Sequence, residues 1–159
     1  MSLFSRENQA LYFHTVSDLL AQPGVQRLRR IPHHRHVNRF DHVLLVSYVS
    51  FALARRWGWD ARAAARAGLL HDLFWEECSN SVELCLNHPE TAARNAAELT
   101  ELSERERNII LSHMWPAARH MPRYRESWLV DMADNVVCLL DYMGVSERWT
   151  RRLAALALA

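Results

Sequence analysis

The chain contains no lysine: all 19 of its basic residues are arginine. That excludes a Schiff-base lysine and the lysine of a phosphate-binding loop. Arginine, whose planar fork suits phosphate, must do any cationic work. Glycine (4) and proline (5) are scarce, so few breakers interrupt a mainly helical chain. The cysteines, Cys78, Cys85 and Cys138, are odd in number and lack C-x-x-C spacing. Disulfides and a Cys-rich zinc knuckle are therefore not expected. The N-terminus shows no basic-then-apolar leader pattern. The longest apolar stretch, about Val43 to Ala54, is broken by serines and falls short of the roughly 20 residues that span a bilayer. These absences predict a soluble, cytoplasmic protein with no membrane partner. A formal charge of +1 gives no electrostatic case for gripping long nucleic acid.

What is present fits one domain, residues 1–159, with half its residues hydrophobic and 23% charged. Apolar spacing predicts a helix over about Glu7 to Gln22, stopped by Pro23-Gly24, and a long buried helix over about Phe40 to Trp57, closed by Gly58. Asp60 caps the next, Ala61 to Leu70, whose small residues allow close packing. Phe74 to Asn87 is less regular. Pro89 suits the first turn of a helix through about Leu99. Ser103 and Glu106 form a capping box for a helix that Pro116 ends. A further helix covers about Glu126 to Met143, and Ser146 caps the last. No strand-like alternation of useful length occurs. The expected fold class is all-α, a single helical bundle.

Nine histidines are the compositional oddity, and histidine is the commonest metal ligand. His71-Asp72 closes the alanine-rich helix; alone, it reads equally as a capped helix end beside a core histidine. His42 lies inside the long apolar helix, His88 before a helix start, His113 near the end of an apolar turn, and Asp134 in a helix suited to burial. Together they put nitrogen and carboxylate groups on separate helices of one bundle, which is how bundle-core metal sites are made. The stretch Arg27 to Arg39 is basic and histidine-rich. It reads as a solvated loop, as a subunit contact of a homodimer, or as a lip over an anionic substrate.

Five segments carry a family resemblance: Asp41-His42-Val43, Leu69-Leu70-His71-Asp72, His88-Pro89-Glu90-Thr91-Ala92, Ile110-Leu111-Ser112-His113 and Met132-Ala133-Asp134-Asn135. In order and approximate spacing the chain resembles the HD-domain metal-dependent phosphohydrolase superfamily, in its small stand-alone bacterial branch, over about residues 35–141. The resemblance implies that His42, His71, Asp72 and Asp134 hold one metal ion. With His88 and His113 it implies a second ion, bridged by Asp72. Asp131, on nearly the same helix face, rivals Asp134 for the last place. Mixed His/Asp ligation suits Fe, Mn, Co, Zn or Ni better than Mg.

A phosphate ester resists hydroxide, and a pair of cations about 3.5–4 Å apart answers this by acidifying a water and clamping both oxygens. The expected nucleophile is a metal-bound hydroxide, with Asp72 at its centre. Arg39, one helical turn before His42, is expected to neutralise substrate phosphate, with Arg35, Arg123 or Arg125 as others. His36 or His120 would protonate the leaving group. The expected substrate is a small phosphate ester, a nucleotide or dinucleotide. Two other readings are a di-iron oxygenase and a nucleotide-binding regulatory domain without turnover.

Overall fold

A computed structural model describes residues 3–34, 37–76 and 82–157, without the side chains of His34 and residues 154–157. The helices are α1 (Arg6–Leu20), α2 (Pro23–Arg27), α3 (Arg39–Trp57), α4 (Ala61–Leu70), α5 (Val82–Leu99), α6 (Glu104–Ser112), α7 (Arg125–Tyr142) and α8 (Glu147–Ala157). A two-stranded hairpin, β1 (Pro32–His34) with β2 (Val37–Asn38), precedes α3. The class is all-α, as the periodicity predicts.

Local chemistry sets the boundaries. The side chain of Asn38 accepts from the Asp41 amide to open α3, and Gly58, at φ 69°, closes it. Asp60 accepts from the Ala63 amide at the start of α4. Ser103 and Glu106 make the reciprocal capping box of α6. Helix α1 stops at Leu20, just before Pro23 as expected, but Pro23 also starts a new element. It opens the short α2, because its missing N–H costs nothing in a first turn. Pro89 likewise lies inside α5, which begins at Val82. One lost backbone bond there is offset by burial of His88, Pro89 and Ala92 on the same side of the helix.

Helix α3 is the hub. It packs against α4, α7 and α8, while α4 also meets α1 and α6. Gly68 is needed for the α3–α4 approach, since a Cβ there would lie 3.0 Å from the Ser47 Cα. Ser47 adds a polar tie, donating to Ala65 O at 2.6 Å and accepting from the Tyr12 hydroxyl at 2.9 Å. Leu44, Leu69, Leu70 and Ile109 are fully buried around this contact, each stabilising the fold by about 1.5–3 kcal/mol relative to exposure. Among the described residues no helix is long and apolar enough to cross a membrane.

Candidate metal centre

Five elements deliver the six residues expected as ligands. His42 comes from the first turn of α3, and His71 and Asp72 follow the end of α4. His88 lies in α5, His113 at the C-cap of α6, and Asp134 midway along α7. His42, His71, His88, Asp72 and His113 are buried, and Asp134 is half-buried. The chain turns sharply at Asp72, whose carbonyl accepts from the Phe74 amide at 2.8 Å.

The ring orientations follow from what holds each Nδ1. In His71 it lies 2.8 Å from Gly68 O, in His88 2.6 Å from Cys85 O, and in His113 2.7 Å from Ile110 O. A carbonyl oxygen only accepts, so each ring carries a proton on Nδ1, and in its neutral form the lone pair is on Nε2. His42 Nδ1 instead meets the buried carboxylate of Asp141 at 2.7 Å. All four Nε2 atoms are thereby turned toward two carboxylates.

His42 Nε2 lies 2.8 Å from Asp134 Oδ1, and His71 Nε2 lies 3.6 Å from the same oxygen. Asp72 shows one oxygen to each side. Its Oδ2 is 3.9 Å from His71 Nε2, and its Oδ1 is 3.0 Å from His88 Nε2 and 3.6 Å from His113 Nε2. Among the described residues three groups are compact enough for a metal ion: His42, His71 and Asp134; His71, Asp72 and His113; and His33, His42 and Cys138.

The donors fit divalent metal for two reasons. Among the described residues His71 Nε2 is buried with no hydrogen-bond partner, only carboxylate oxygens at 3.6 and 3.9 Å, a costly state for a polar atom. His88 Nε2 and His113 Nε2 are 2.8 Å apart. With both protons on Nδ1, two lone pairs face each other, an arrangement that calls for a cation. Nitrogen donors mixed with carboxylate suit the transition metals. Burial works to raise Asp72 and Asp134, but the imidazoles around them prevail and hold both carboxyls well below the usual range. Burial works to lower His42, and the Asp134 and Asp141 hydrogen bonds override it, so its ring is pushed up to about 10. His113, where burial dominates, is lowered.

Asp131 stands apart from these groups. Burial first and Asp134 second raise it to about 6. Arg39 bonds to the backbone just beyond Asp72. It is buried, donating to Phe74 O at 2.6 Å and Glu76 O at 3.1 Å, with its guanidinium 3.6 Å from the centroid of the Phe74 ring. It clamps the segment after Asp72, because carbonyls freed by the sharp turn need donors. His36 and Arg35 lie outside the described residues. His120 pairs with Glu90 at 3.4 Å, and Arg125 with Glu126 at 3.4 Å.

Sequence reasoning missed three neighbours of the cluster. Asp141 orients His42. Its only signal was its position seven residues after Asp134, two turns along one face of α7. His33, on β1, brings Nε2 to 3.8 Å from Asp72 Oδ2 and its ring to 4.3 Å from that of His42. Cys138 Sγ lies 3.7 Å from Asp134 Oδ1, one turn further along α7. Burial and then the nearby carboxylates push its thiol up.

A family model described as HD domain matches residues 39–137. Searches of the curated proteins and of the solved structures returned no match.

Proposed function

The chain belongs to the HD-domain family, and on that premise we propose that it is a phosphohydrolase of a small phosphate ester, a nucleotide or dinucleotide, using two divalent ions. Proteins of this family are generally metal-dependent hydrolases, and HD domains bind divalent metals. The observation that supports the reading best is the convergence of four imidazole Nε2 atoms on Asp72 and Asp134, with the His88 and His113 nitrogens face to face. His42, His71, Asp72 and Asp134 would hold one ion, and His88 and His113 with Asp72 the other. Bound there, the ions would supply an acidified water and neutralise phosphate oxygens.

The chain's own residues prepare this. Carbonyls of Gly68, Cys85 and Ile110 fix three rings in the tautomer that leaves Nε2 available. Asp141 holds His42 by Nδ1 with a full charge, so an ion bound at Nε2 would displace only the proton shared with Asp134. The Arg39 clamp and the Asn95 bond to Leu73 O, 2.8 Å, hold the backbone around Asp72. The Phe74 ring stacks on His88 at 4.8 Å and shields one face of it. In this reading His33, whose Nε2 lies 3.8 Å from Asp72 Oδ2, would be a substrate-facing group.

The test is elemental analysis of the purified protein combined with a phosphatase screen over nucleotides and dinucleoside polyphosphates. Metal at up to two ions per chain and phosphate release without oxygen are the expected results. A metal-replete protein that releases phosphate from none of these esters would sink the reading.

A further inference from the structure

A cavity of ≈ 390 Å³ shares no lining residue with the ligand cluster. It opens between α6, which supplies Arg107 and Asn108, and the stretch after it, which supplies Arg119, His120, Arg123 and Tyr124. A second hollow of ≈ 320 Å³ shares Arg107 and His120 with it and adds Arg94. Volumes of this order are those of small-molecule sites.

Three exposed arginines are among the residues that line the first cavity: Arg107, Arg119 and Arg123. None makes an ion pair among the described residues, whereas Arg55, Arg66, Arg105 and Arg151 each do. The acidic residue in the lining is Glu104, so arginine outnumbers carboxylate there. Gathering like charges on one hollow is unfavourable unless an anion joins them. The wall is also built in advance. Asn108 donates to Met121 O at 3.2 Å and accepts from the Arg123 amide at 2.9 Å and the Ser127 hydroxyl at 2.8 Å. That ties the backbone beneath Arg123 to α6, so a ligand would meet a fixed surface and lose less freedom on binding.

We infer that this cavity is a second anion site, separate from the metal centre, which takes the diphosphate group of a small molecule. The planar fork of arginine favours phosphate oxygens over a point-like anion. Three forks on one hollow match a diphosphate better than a single phosphate. A chain with a formal charge of +1 does not suit a nucleic-acid strand. The inference goes beyond the hydrolase reading and stands if that reading fails.

The experiment uses the full chain stripped of metal with a chelator, titrated calorimetrically with inorganic phosphate, pyrophosphate and ADP. Saturable binding of pyrophosphate and ADP, with weaker phosphate, is the expected result. Equal affinity for the two identifies diphosphate alone as the ligand, and tighter ADP adds the nucleoside; either supports the site. Arg119→Gln and Arg123→Gln should each weaken binding about tenfold, the loss of one charged hydrogen bond. Arg148→Gln, an exposed arginine on α8, should change nothing. His88→Ala with His113→Ala should leave the affinity intact. Absence of saturable binding overturns the inference. So does affinity that survives in both arginine variants yet disappears in the histidine pair, because the anion would then sit in the metal centre.

Discussion

The two halves of the ligand cluster are built differently. On one side His42 is fully buried near the start of α3, with a carboxylate on each ring nitrogen, Asp134 at 2.8 Å and Asp141 at 2.7 Å. On the other, His88 and His113 lean on carbonyls of their own preceding turns and share only Asp72 Oδ1. The first half is rich in negative charge and rooted in the hub helix. The second is rich in imidazole, and its α5 meets the rest of the bundle mainly through α6. Negative charge behind a ligand raises its basicity, so the first half should hold its ion more tightly. On the two-ion proposal, then, the ions should leave the protein one at a time, and the order is predictable.

Asp72 joins the halves, one oxygen to each, so Asp72→Ala should have the largest effect. Metal analysis should find neither ion retained and phosphatase activity at background. A variant that keeps one full equivalent would show that the halves do not depend on the shared carboxylate. Next comes His88→Ala. It removes a donor from the imidazole-rich half alone, so metal content should fall from about two equivalents to about one, while that of the first half survives dialysis. Third is Asp141→Asn, which keeps the shape but removes the charge behind His42. Losses of about 10–100-fold in metal affinity are typical for such supporting carboxylates. Competitive chelator titration should show the loss in the tighter ion only.

Most of this was legible in the sequence because it lies on regular helices. Apolar periodicity places α3, α4 and α7, and the small residues before His71-Asp72 announce a close helix pair. The resemblance to the HD-domain family singled out His42, His71, Asp72, His88, His113 and Asp134, which the structure brings together. The failures have physical causes. Arg39 was correctly put one turn from His42, but helical phase does not say which carbonyls a long side chain will reach, and the turn after Asp72 offered two. Pro89 was read by its commonest role, as a helix start, yet α5 runs through it because its neighbours are buried. His33 depends on how a short hairpin folds over α3, a long-range arrangement with no local signature. Asp141 was one more acidic residue on a helix until His42 was found against it.

Gly68 offers the smallest and most discriminating perturbation. In a helix interior, Gly→Ala ordinarily stabilises by about 0.5–1 kcal/mol through backbone entropy. Here the new Cβ would lie 3.0 Å from the Ser47 Cα and 3.5 Å from its amide nitrogen. Those are backbone atoms, and no side-chain rotation can move them away. Overpacking of this kind costs about 1–3 kcal/mol, so the strain outweighs the entropy and the net loss should be about 1 kcal/mol in denaturant unfolding. The displacement has a direction as well. It parts α3 from α4, hence His42 from His71, whose Nδ1 also takes its acceptor from Gly68. His88 and His113, carried by α5 and α6, do not straddle that contact. Gly68→Ala should therefore loosen the tighter ion severalfold and leave the weaker one as it was, narrowing the gap between the two halves. Equal loosening of both would mean that the cluster responds as one rigid unit and that the difference in support has no energetic consequence.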